Sequence, residues 1–407
     1  MPEPAFITKF YLIVNPGLEE LALSELQSAN PNISKIKKNL GGIEFESEIH
    51  DGLLLNAKLK IPSRILLRVD DFKASDFPKL FKKLLKISWK DLLTQDTPIR
   101  FEVSSETSRL AIKKRIEDTA QESLEKYFRT VKKEKMIKTD MPKKTPPEQK
   151  IFLRFVDDIC TVSIDTSGEH LHKRGYRKLI GEAPLRENLA SALLSALFAH
   201  SEDINSESFE LVDPMMGSGT FLLEAYHYFS DSDLRTYVFE NWPFIIKNKS
   251  SKSLETDGFD SSVRQILKTK KLSGFDQDDD SIAITKENFK SLKAGAKAAV
   301  APKFEVSQRN LFAGNFKAFP SENSRLVITN PPYGKRLKVE GKITDFYSNL
   351  FKECEQKLKP DLAGFLISDD APETQIKTPK SWKRIEQIRF RNGGIKVRFV
   401  IFKSQTF

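Results

Sequence analysis

The stretch LVDPMMGSGTFLLEA, Leu211–Ala225, joins an apolar run to an amphipathic run through a turn with two glycines. The run FELVD predicts a strand, and TFLLEAYHYF predicts a helix that starts near Thr220. Glycines in such a turn let the backbone approach a ligand closely, and the helix start offers free N–H groups. A phosphate-binding loop would need a lysine after Gly219, and a dinucleotide fingerprint would need glycine in place of Leu222.

Strands and helices alternate on the C-terminal side of this turn. The runs KLSGFD, KFEVSQ, RLVITN and LAGFLIS predict strands, and DSIAITKENFKSL and DFYSNLFKECEQKL predict helices. The chain ends in two β-rich runs around Asn392-Gly393-Gly394, which is a strong hairpin signal. The order predicts an α/β domain with a mostly parallel sheet and an antiparallel C-terminal hairpin. This is the order used by Rossmann-like methyltransferases that bind S-adenosylmethionine.

The pattern that remains in the glycine turn is Asp-Pro-x-x-Gly-x-Gly-Thr, which resembles motif I of amino-methyltransferases. The resemblance implies that the turn holds the methionine part of S-adenosylmethionine. A tight strand–helix turn without a ligand is the alternative. The residues assigned to the cofactor in this region are Asp213, Pro214, Met215, Gly217, Ser218, Gly219 and Thr220, together with Pro184 at the start of the preceding apolar helix.

Two further strand ends carry polar residues. Asp276 ends the next predicted strand, where a carboxylate accepts hydrogen bonds from both ribose hydroxyls. Its distance from the glycine turn exceeds the usual spacing of roughly 20 residues, and the insert Ser230–Lys270 accounts for the excess. The run Asp278–Asp280 fits a helix cap better, and Asn310 follows the third strand. The cofactor residues assigned to these strand ends are Asp276, Gln277, Asn310 and Leu311.

The stretch NPPYG begins at Asn330 and follows the apolar run RLVIT. An asparagine oxygen and a proline carbonyl at a strand end can accept the two hydrogens of a planar exocyclic amine. The prolines fix φ, so these acceptors need no reorganisation, and the tyrosine ring offers a face on which a base can stack. A turn with a capping asparagine is the alternative. The catalytic residues assigned here are Asn330, Pro331, Pro332 and Tyr333, and Asn330 is also assigned to the cofactor.

Positive charge is concentrated in two parts of the chain, whose formal net charge is +10 over 407 residues. Residues 51–150 hold 24 Lys and Arg against 15 Asp and Glu, and residues 371–407 hold 9 against 2. Such regions are typical of a surface that binds a polyanion, and a solvated lysine-rich surface is the alternative of equal weight. The residues assigned to contact the polyanion are Lys113, Lys114, Arg115, Lys173, Arg174 and Arg177.

Composition argues against several classes of protein. Hydrophobic residues make up 39% of the chain and charged residues 30%, which is typical of a globular protein. No apolar run reaches the roughly 20 residues of a membrane helix, and the N-terminus lacks a signal-peptide pattern. Cys160 and Cys354 favour a reduced, cytoplasmic protein, and the five scattered histidines suggest no metal-ligand cluster. We therefore predict a cytoplasmic protein without a metal, and a monomer rather than an oligomer.

The front half of the chain predicts an α+β fold. FYLIVN, GGIEFES and RILLRVDDF predict three strands that alternate with two helices. A helical run at 76–93, the strand IRFEVSS and a long helix at 109–128 follow, and IFLRFVDDICTVSIDTS predicts a hairpin that turns near Val156–Asp158. The predicted domains are residues 1–70, 71–167 and 168–407.

Taken together, the motifs resemble those of the THUMP-containing ribosomal RNA guanine-N2-methyltransferases. The resemblance covers roughly residues 40–407 and is carried by HKRGYR, EAPLREN, DPMMGSGTFLLEA, TYVFENWP, SGFDQD, NPPYGKRL and FRNGGIKVRF. It implies a ferredoxin-like segment and a THUMP domain that bind RNA. It also implies a Rossmann-like domain that uses S-adenosylmethionine to methylate a guanine of 23S ribosomal RNA. Met215-Met216 and Asn310 depart from the family pattern, and Asn310 stands where an acid is usual.

Other functions fit parts of the same pattern. Adenine-N6 methylation of DNA would need a base-recognition domain after the catalytic motifs, and only about 60 residues follow Asp345. Guanine-N2 methylation of tRNA is compatible with the motifs. A thiouridine synthetase would need an SGGxDS loop, which the sequence lacks. A non-catalytic RNA-binding assembly factor is the alternative of another class, and the intact NPPY and glycine turn argue against it.

Overall fold

The computed structural model describes residues 7–133, 146–181, 184–202, 204, 208–229, 235–247, 266–295, 301–320, 324–332 and 342–405. Two seven-stranded sheets organise these residues, one in each half of the chain. The front half contains β1 (Ile7–Ile13), α1 (Glu19–Ala29), β2 (Ser34–Asn39), β3 (Gly42–Glu48), α2 (Ile49–Lys58), β4 (Arg64–Lys73), α3 (Phe77–Leu84), β5 (Ile99–Glu106), α4 (Lys113–Lys133), β6 (Gln149–Val156) and β7 (Ile159–Asp165).

The back half follows the alternating order that the sequence predicts. It contains α5 (Glu187–Ala199), β8 (Phe209–Asp213), α6 (Thr220–His227), α7 (Pro243–Lys247), β9 (Thr269–Asp276), α8 (Asp279–Gly295), β10 (Lys303–Gln308), β11 (Arg325–Thr329), α9 (Ile343–Glu353), β12 (Leu362–Ser368), β13 (Trp382–Asn392) and β14 (Ile395–Ser404).

The front sheet has the strand order β2-β3-β1-β4-β7-β6-β5. Its neighbouring strands are antiparallel except for β5 and β6, which run parallel. Strand β4 pairs with β1 on one side and with β7 on the other, so hydrogen bonds continue across the predicted boundary at residue 70. That boundary lies inside β4, and the two predicted front segments share one sheet. The boundary after residue 167 lies just beyond the end of β7.

Local sequence signals explain most of the front half. The turn between β6 and β7 uses Asp157 and Asp158, both with positive φ, as a two-residue hairpin turn requires. Asp76 caps α3, because its carboxylate accepts a hydrogen bond from the Lys79 amide at 2.9 Å. Strand β2 was not predicted, since its sequence SKIKKN lacks alternation and all six residues are exposed at the sheet edge.

The back sheet has the order β10-β9-β8-β11-β12-β14-β13. The first five strands are parallel, and β14 runs antiparallel to both of its neighbours. Strands β8, β11 and β12 are buried at every residue, which explains why most of their residues are apolar. Because parallel strands end at one edge of a sheet, the polar residues that follow β8, β9, β10 and β11 are brought together there.

One hydrophobic core runs through both halves. It includes Phe10, Leu26 and Leu55 from the front half, and Leu197 and Phe399 from the back half. A smaller core on the back sheet is rich in aromatic rings. Polar contacts cross between the halves as well. The side chain of Asn188 donates to the carbonyl oxygen of Ile61 at 3.2 Å, and the Trp242 indole donates to Gln149 at 2.8 Å.

Candidate active site

The carboxyl edge of the back sheet borders a cavity of about 890 Å³. Its walls come from the turns after the parallel strands and from the segment before α5. The sequence-assigned residues that line it are Pro184, Asp213, Pro214, Met215, Gly217, Ser218, Thr220, Asp276, Gln277, Asn310, Leu311, Asn330 and Pro332. The strand-end residues assigned from separate motifs therefore lie around one space. Two of the assigned residues, Gly219 and Pro331, are not among the cavity's lining residues.

The glycine turn after β8 is joined directly to the end of β9. The amide of Gly217 donates to Oδ2 of Asp276 at 2.8 Å, and the amide of Met216 donates to the carbonyl oxygen of Phe275 at 3.0 Å. Gly217 and Gly219 both have positive φ, which glycine adopts without strain. The turn therefore holds the Asp276 carboxylate in a set position at the cavity wall.

The two glycines of the turn have different roles. A Cβ atom at Gly217 would meet no atom within 4 Å, whereas one at Gly219 would lie 2.5 Å from Cγ2 of Thr285 on α8. Gly219 is thus required by the close packing of the turn on α8. The predicted contact of Gly219 with the cofactor stays a prediction. The sequence pattern does not separate these two roles.

Asp213 ends β8 and is only 1% exposed. Its Oδ1 accepts a hydrogen bond from the Met215 amide at 3.2 Å. Burial raises the pKa of the Asp213 carboxyl to about 7, and the nearby Asp276 contributes in the same direction. Asp213 therefore stands at the cavity wall as a carboxyl that titrates near neutral pH.

The end of β10 is shaped by amide–amide contacts. Nδ2 of Asn310 donates to Oε1 of Gln277 at 3.1 Å, and Oδ1 of Asn310 accepts from the Phe312 amide at 2.9 Å. Asn310 is exposed, while Leu311 is 2% exposed and forms the apolar floor beside it. The amide thus fixes the loop after β10 and also faces the cavity.

Asn330 directly follows β11. Its Oδ1 atom is buried and has no hydrogen-bond partner within the described residues. A buried acceptor in this state is uncommon, because leaving it unsatisfied costs roughly 1–3 kcal/mol. Pro331 is buried and Pro332 lines the cavity. Tyr333, the predicted stacking residue, lies outside the described residues.

One wall of the cavity is formed by residues that the sequence motifs do not mark. Ile180 and Gly181 line it, and the backbone just before them is held by Asn288 of α8. Oδ1 of Asn288 accepts from the amides of Lys178 and Leu179 at 2.8 and 3.0 Å, and its Nδ2 donates to the Leu179 carbonyl at 3.0 Å. The available signal was an asparagine on the inner face of an amphipathic helix, where Asn288 is fully buried.

Asp278 both caps a helix and lines the cavity. As expected for the acidic run after β9, it caps α8, accepting hydrogen bonds from the amides of Asp280 and Ser281 at 3.3 and 3.1 Å. Hydrogen bonds from Ser281 lower the pKa of Asp278 below its usual value. Asp278 also lines the cavity, as do Asp280 and Ser281. The cap thus adds negative charge to the mouth of the cavity.

The predicted RNA-binding cations of α4 are on the surface. Lys113, Lys114 and Arg115 are all exposed. Lys114 forms an ion pair with Asp118 at 2.8 Å, and the guanidinium of Arg115 lies 4.2 Å from the centre of the Phe77 ring. These side chains are accessible to a polyanion. Lys173 is exposed too and pairs with Glu169.

Arg174 and Arg177, which the sequence assigns to RNA, are both paired with carboxylates inside the protein. Arg174 is 6% exposed, and its guanidinium donates to the carbonyl oxygen of Lys60 at 2.6 Å and pairs with Glu224 at 3.3 Å. Arg177 is half-buried, pairs with Glu187 at 2.9 Å and donates to Oγ1 of Thr220 at 2.9 Å. The carboxylates that balance this basic cluster are distant in sequence. Local charge counting could not reveal them.

Among the described residues, no group of three or more His, Cys, Asp and Glu side chains could hold a metal ion. In the same part of the chain, every helix is too short or too polar to cross a membrane. Both cysteines are buried and unpaired.

Sequence comparisons point to one family. The family model described as "RMKL-like, methyltransferase domain" matches residues 174–398. The chain is 26% identical over 399 residues to ribosomal RNA large subunit methyltransferase K/L of Colwellia psychrerythraea, covering 97% of this chain and 52% of that protein. The protein of the same name from Psychromonas ingrahamii is 27% identical over 394 residues, covering 93% and 47%. The chain spans about half the length of the curated relatives it matches.

Solved structures share the fold over nearly the whole chain. SMU.472, crystallised as a complex with SAH, has a TM-score of 0.73 at 24% identity and covers 98% of this chain and 99% of its own. TrmN from Thermus thermophilus has a TM-score of 0.66 at 16% identity and covers 98% and 100%. The predicted α/β, Rossmann-like methyltransferase fold is confirmed.

Proposed function

Since the chain belongs to the family of RMKL-like methyltransferase domains, we propose that it methylates the exocyclic amine of a guanine in large-subunit ribosomal RNA with S-adenosylmethionine. The observation that carries the proposal is Oδ1 of Asn330, which is buried at the wall of the cavity and accepts no hydrogen bond from the described residues. An amine hydrogen of a base would satisfy this acceptor.

The residues around the cavity fit the cofactor. A volume of about 890 Å³ is within the range of pockets that hold a nucleoside-sized ligand. Asp276 presents a carboxylate for the ribose hydroxyls, and the open space beside Gly217 suits the methionine end. Gln277, Asn310 and Leu311 would contact the adenine. When bound, S-adenosylmethionine supplies an electrophilic methyl group.

On the substrate side, Asn330 and the carbonyl of Pro331 would accept the two amine hydrogens and orient the nitrogen towards the methyl group. Positive charge develops on this nitrogen as it is methylated, and the two acceptors stabilise that charge. The nitrogen loses its proton after it becomes cationic, so the chain needs no general base with a raised pKa. Tyr333 is proposed to stack on the flipped base.

The choice of RNA is also part of the proposal. The named relatives act, by their names, on large-subunit ribosomal RNA, and this chain spans about half of their length. The front half, proposed to be a ferredoxin-like and THUMP region, presents the exposed cations Lys113, Lys114 and Arg115. A tRNA guanine, a DNA adenine and a non-catalytic role in ribosome assembly are the alternatives. A cytoplasmic location and a monomeric state stay predictions.

Nucleoside mass spectrometry tests the proposal. Ribosomal RNA from a strain without this gene should lack one N2-methylguanosine, and the purified chain with S-adenosylmethionine should restore it. A restored N6-methyladenine, or a loss confined to tRNA, would select the corresponding alternative. If no nucleoside changes and titration calorimetry detects no heat with S-adenosylmethionine, the chain is an assembly factor and the proposal is wrong.

A further inference from the structure

The tip of the β13–β14 hairpin overhangs the edge of the sheet that bears the cavity. Strand β12 runs parallel to β11, and its last residue, Ser368, pairs with Val397 of β14. The hairpin tip therefore begins at the carboxyl end of β12, on the same edge as Asn330. The order β11-β12-β14-β13 puts β14 two strands from β11, which is about 10 Å at the usual spacing.

The register gives the height of this tip above the sheet edge. Thr329 of β11 is level with Phe365 of β12, which is level with Val400 of β14. Asn330 is thus level with Phe399, and Lys396 stands three residues further out, or about 10 Å. Lys396 is therefore within reach of nucleotides next to a base held at Asn330.

The tip is basic and accessible. Residues 382–404 contain seven Lys and Arg and a single Glu. Arg398 is buried and Arg389 pairs with Asp369, whereas Arg391 and Lys396 are exposed. Neither Arg391 nor Lys396 takes part in an ion pair within the described residues. Their charge is available for a ligand.

The front half touches the same tip. The side chain of Asn15 donates to the carbonyl oxygen of Arg391 at 2.8 Å, and a Cβ at Gly17 would lie 2.1 Å from the Arg389 carbonyl oxygen. The β1–α1 loop therefore packs on the hairpin backbone without a gap. Glu19 then ties this loop to the β2–β3 turn, accepting from the amides of Gly17 and Gly41 at 2.8 and 2.7 Å.

The β2–β3 turn adds to the surface. Lys37 is exposed, and Leu40 is 86% exposed at the turn itself. Apolar side chains contact base edges where cations contact phosphates, so Leu40 beside Lys37 offers both kinds of contact. The two hairpins thus present one surface at the catalytic edge, which we name the two-hairpin surface: Lys37, Leu40, Arg391 and Lys396.

We propose that the two-hairpin surface binds the RNA strand that flanks the target nucleotide, with Arg391 and Lys396 on its phosphates. This inference rests on the proposed function and adds the path of the substrate across the molecule. The cations at the tip, unlike those of α4, belong to the same sheet as Asn330. They would set the position of the strand while Asn330 selects the amine.

The hairpin offers a matched pair of lysines for the test. Lys383 is exposed and pairs with Lys403 at the opposite end of the same hairpin, level with Leu362 at the start of β12. It lies nine strand residues from the tip, or about 30 Å. Lys396→Glu and Lys383→Glu change the net charge equally, but the first lies near the hairpin tip and the second at the opposite end of the hairpin.

The probe is a fluorescein-labelled, guanine-containing stem–loop RNA, whose Kd is measured by anisotropy at several salt concentrations. Lys396→Glu and Arg391→Glu should each raise the Kd roughly 5- to 10-fold and lower the salt slope by about 0.7. Lys383→Glu should stay within about twofold of wild type, and the Kd for S-adenosylmethionine should be the same in all variants.

Equal weakening by Lys383→Glu and Lys396→Glu would mean that only net charge matters, and unchanged binding in the tip variants would mean that the strand does not cross this surface. Either result overturns the inference. Failure of the proposed function is a separate outcome, since it would appear as no methyl transfer by the wild-type chain while the tip variants still bind RNA more weakly.

Discussion

The junction between the halves and the end of β11 both contain buried polar groups. The groups at the junction have partners, whereas one at the end of β11 has none among the described residues. At the junction, Arg174 and Arg177 are each matched by a carboxylate, Glu224 and Glu187. At the end of β11, Oδ1 of Asn330 is matched by nothing in the described part of the chain. A balanced buried charge holds the structure together, whereas an unbalanced acceptor is prepared for a ligand. Substitutions at the two places should therefore change different quantities.

The largest effect is expected at the junction. Arg174→Ala leaves the carboxylate of Glu224 buried without its ion-pair partner, so the free energy of unfolding should fall by about 3–5 kcal/mol. Lys173→Ala is the control, because Lys173 forms an exposed pair with Glu169 and should cost less than about 1 kcal/mol. Urea unfolding measures both. If Arg174→Ala kept wild-type stability and bound RNA more weakly, Arg174 would be an RNA contact, as the sequence predicts. The contrast between the junction and the end of β11 would then fail.

The next largest effect is expected from substitution of Asn330, and it should appear in the rate of methyl transfer. Asn330→Ala removes an acceptor that stabilises charge in the transition state, so turnover should fall by about 10²–10³. Stability should hold within about 0.5 kcal/mol, since the removed oxygen accepts no hydrogen bond from any of the described residues.

Asn188→Ala is the matched control for Asn330→Ala. Oδ1 of Asn188 is likewise buried and has no partner in the part of the chain that the structure describes. However, Asn188 lies on α5, bonds to Ile61 and is not among the residues that line the cavity. Single-turnover methyl transfer should be near normal in Asn188→Ala. Similar rates in the two variants would show that a buried, unpartnered amide does not by itself mark the catalytic position.

Sequence patterns predicted the regular parts of the molecule better than its long-range contacts. The apolar strands of the back sheet and the Asn-Gly hairpin could be predicted from the sequence because each depends on a few adjacent residues. Strand β2 was missed because an exposed edge strand has no apolar face to signal it. The ion pair of Arg174 joins residues 50 positions apart, so the sequence showed the cation without its partner.

The same limit applies to the candidate site. Motifs located the strand ends, and the parallel sheet brings them together at one edge. The wall at Ile180 and Gly181 was missed because its position depends on Asn288, more than 100 residues away. The difference between Gly217, which borders open space, and Gly219, which packs closely, also depends on a distant residue, Thr285.

A smaller effect is expected from substitution of Asn288. Its side-chain amide forms hydrogen bonds to the backbone just before the cavity wall. Asn288→Ala releases three hydrogen bonds to the backbone of residues 178 and 179, so this cavity wall should loosen. The Kd for S-adenosylmethionine should rise roughly 10-fold, with a smaller change in the rate at saturating cofactor. Asn288→Asp keeps both acceptor bonds and should lie between wild type and Asn288→Ala.

Asn56→Ala is the control for Asn288→Ala. Asn56 is also buried, and its Nδ2 donates to Leu53 and Thr166 at 2.9 and 2.8 Å, but it lies in the front half. Both variants should lose stability, and only Asn288→Ala should lose cofactor affinity. Equal cofactor affinities in the two variants would give Asn288 a purely structural role.

The last expected effect is a pair of opposite pH trends in stability. Burial raises the pKa of both Glu224 and Asp213, but Arg174, His227 and Lys60 bring Glu224 down to about 2, while Asp213 stays at about 7. The stability that Glu224 contributes is present above its unfolded pKa of 4.5 and is lost as pH falls towards 2. The contribution of Asp213 has the reverse sign. It is present below the unfolded pKa of 3.8 and is lost as pH rises through about 7.

Urea unfolding from pH 3 to pH 8 of wild type, Glu224→Gln and Asp213→Asn separates the two trends, since each variant removes one of the two carboxyl groups. Relative to Asp213→Asn, wild type should lose stability as pH rises towards 7, by at most about 1.4 kcal/mol per pH unit. Relative to Glu224→Gln, it should lose stability as pH falls below about 4.5. Parallel curves for wild type and Asp213→Asn would mean that the carboxyl at the cavity is as well compensated as the one at the junction. The distinction between the two regions would then rest on Asn330 alone.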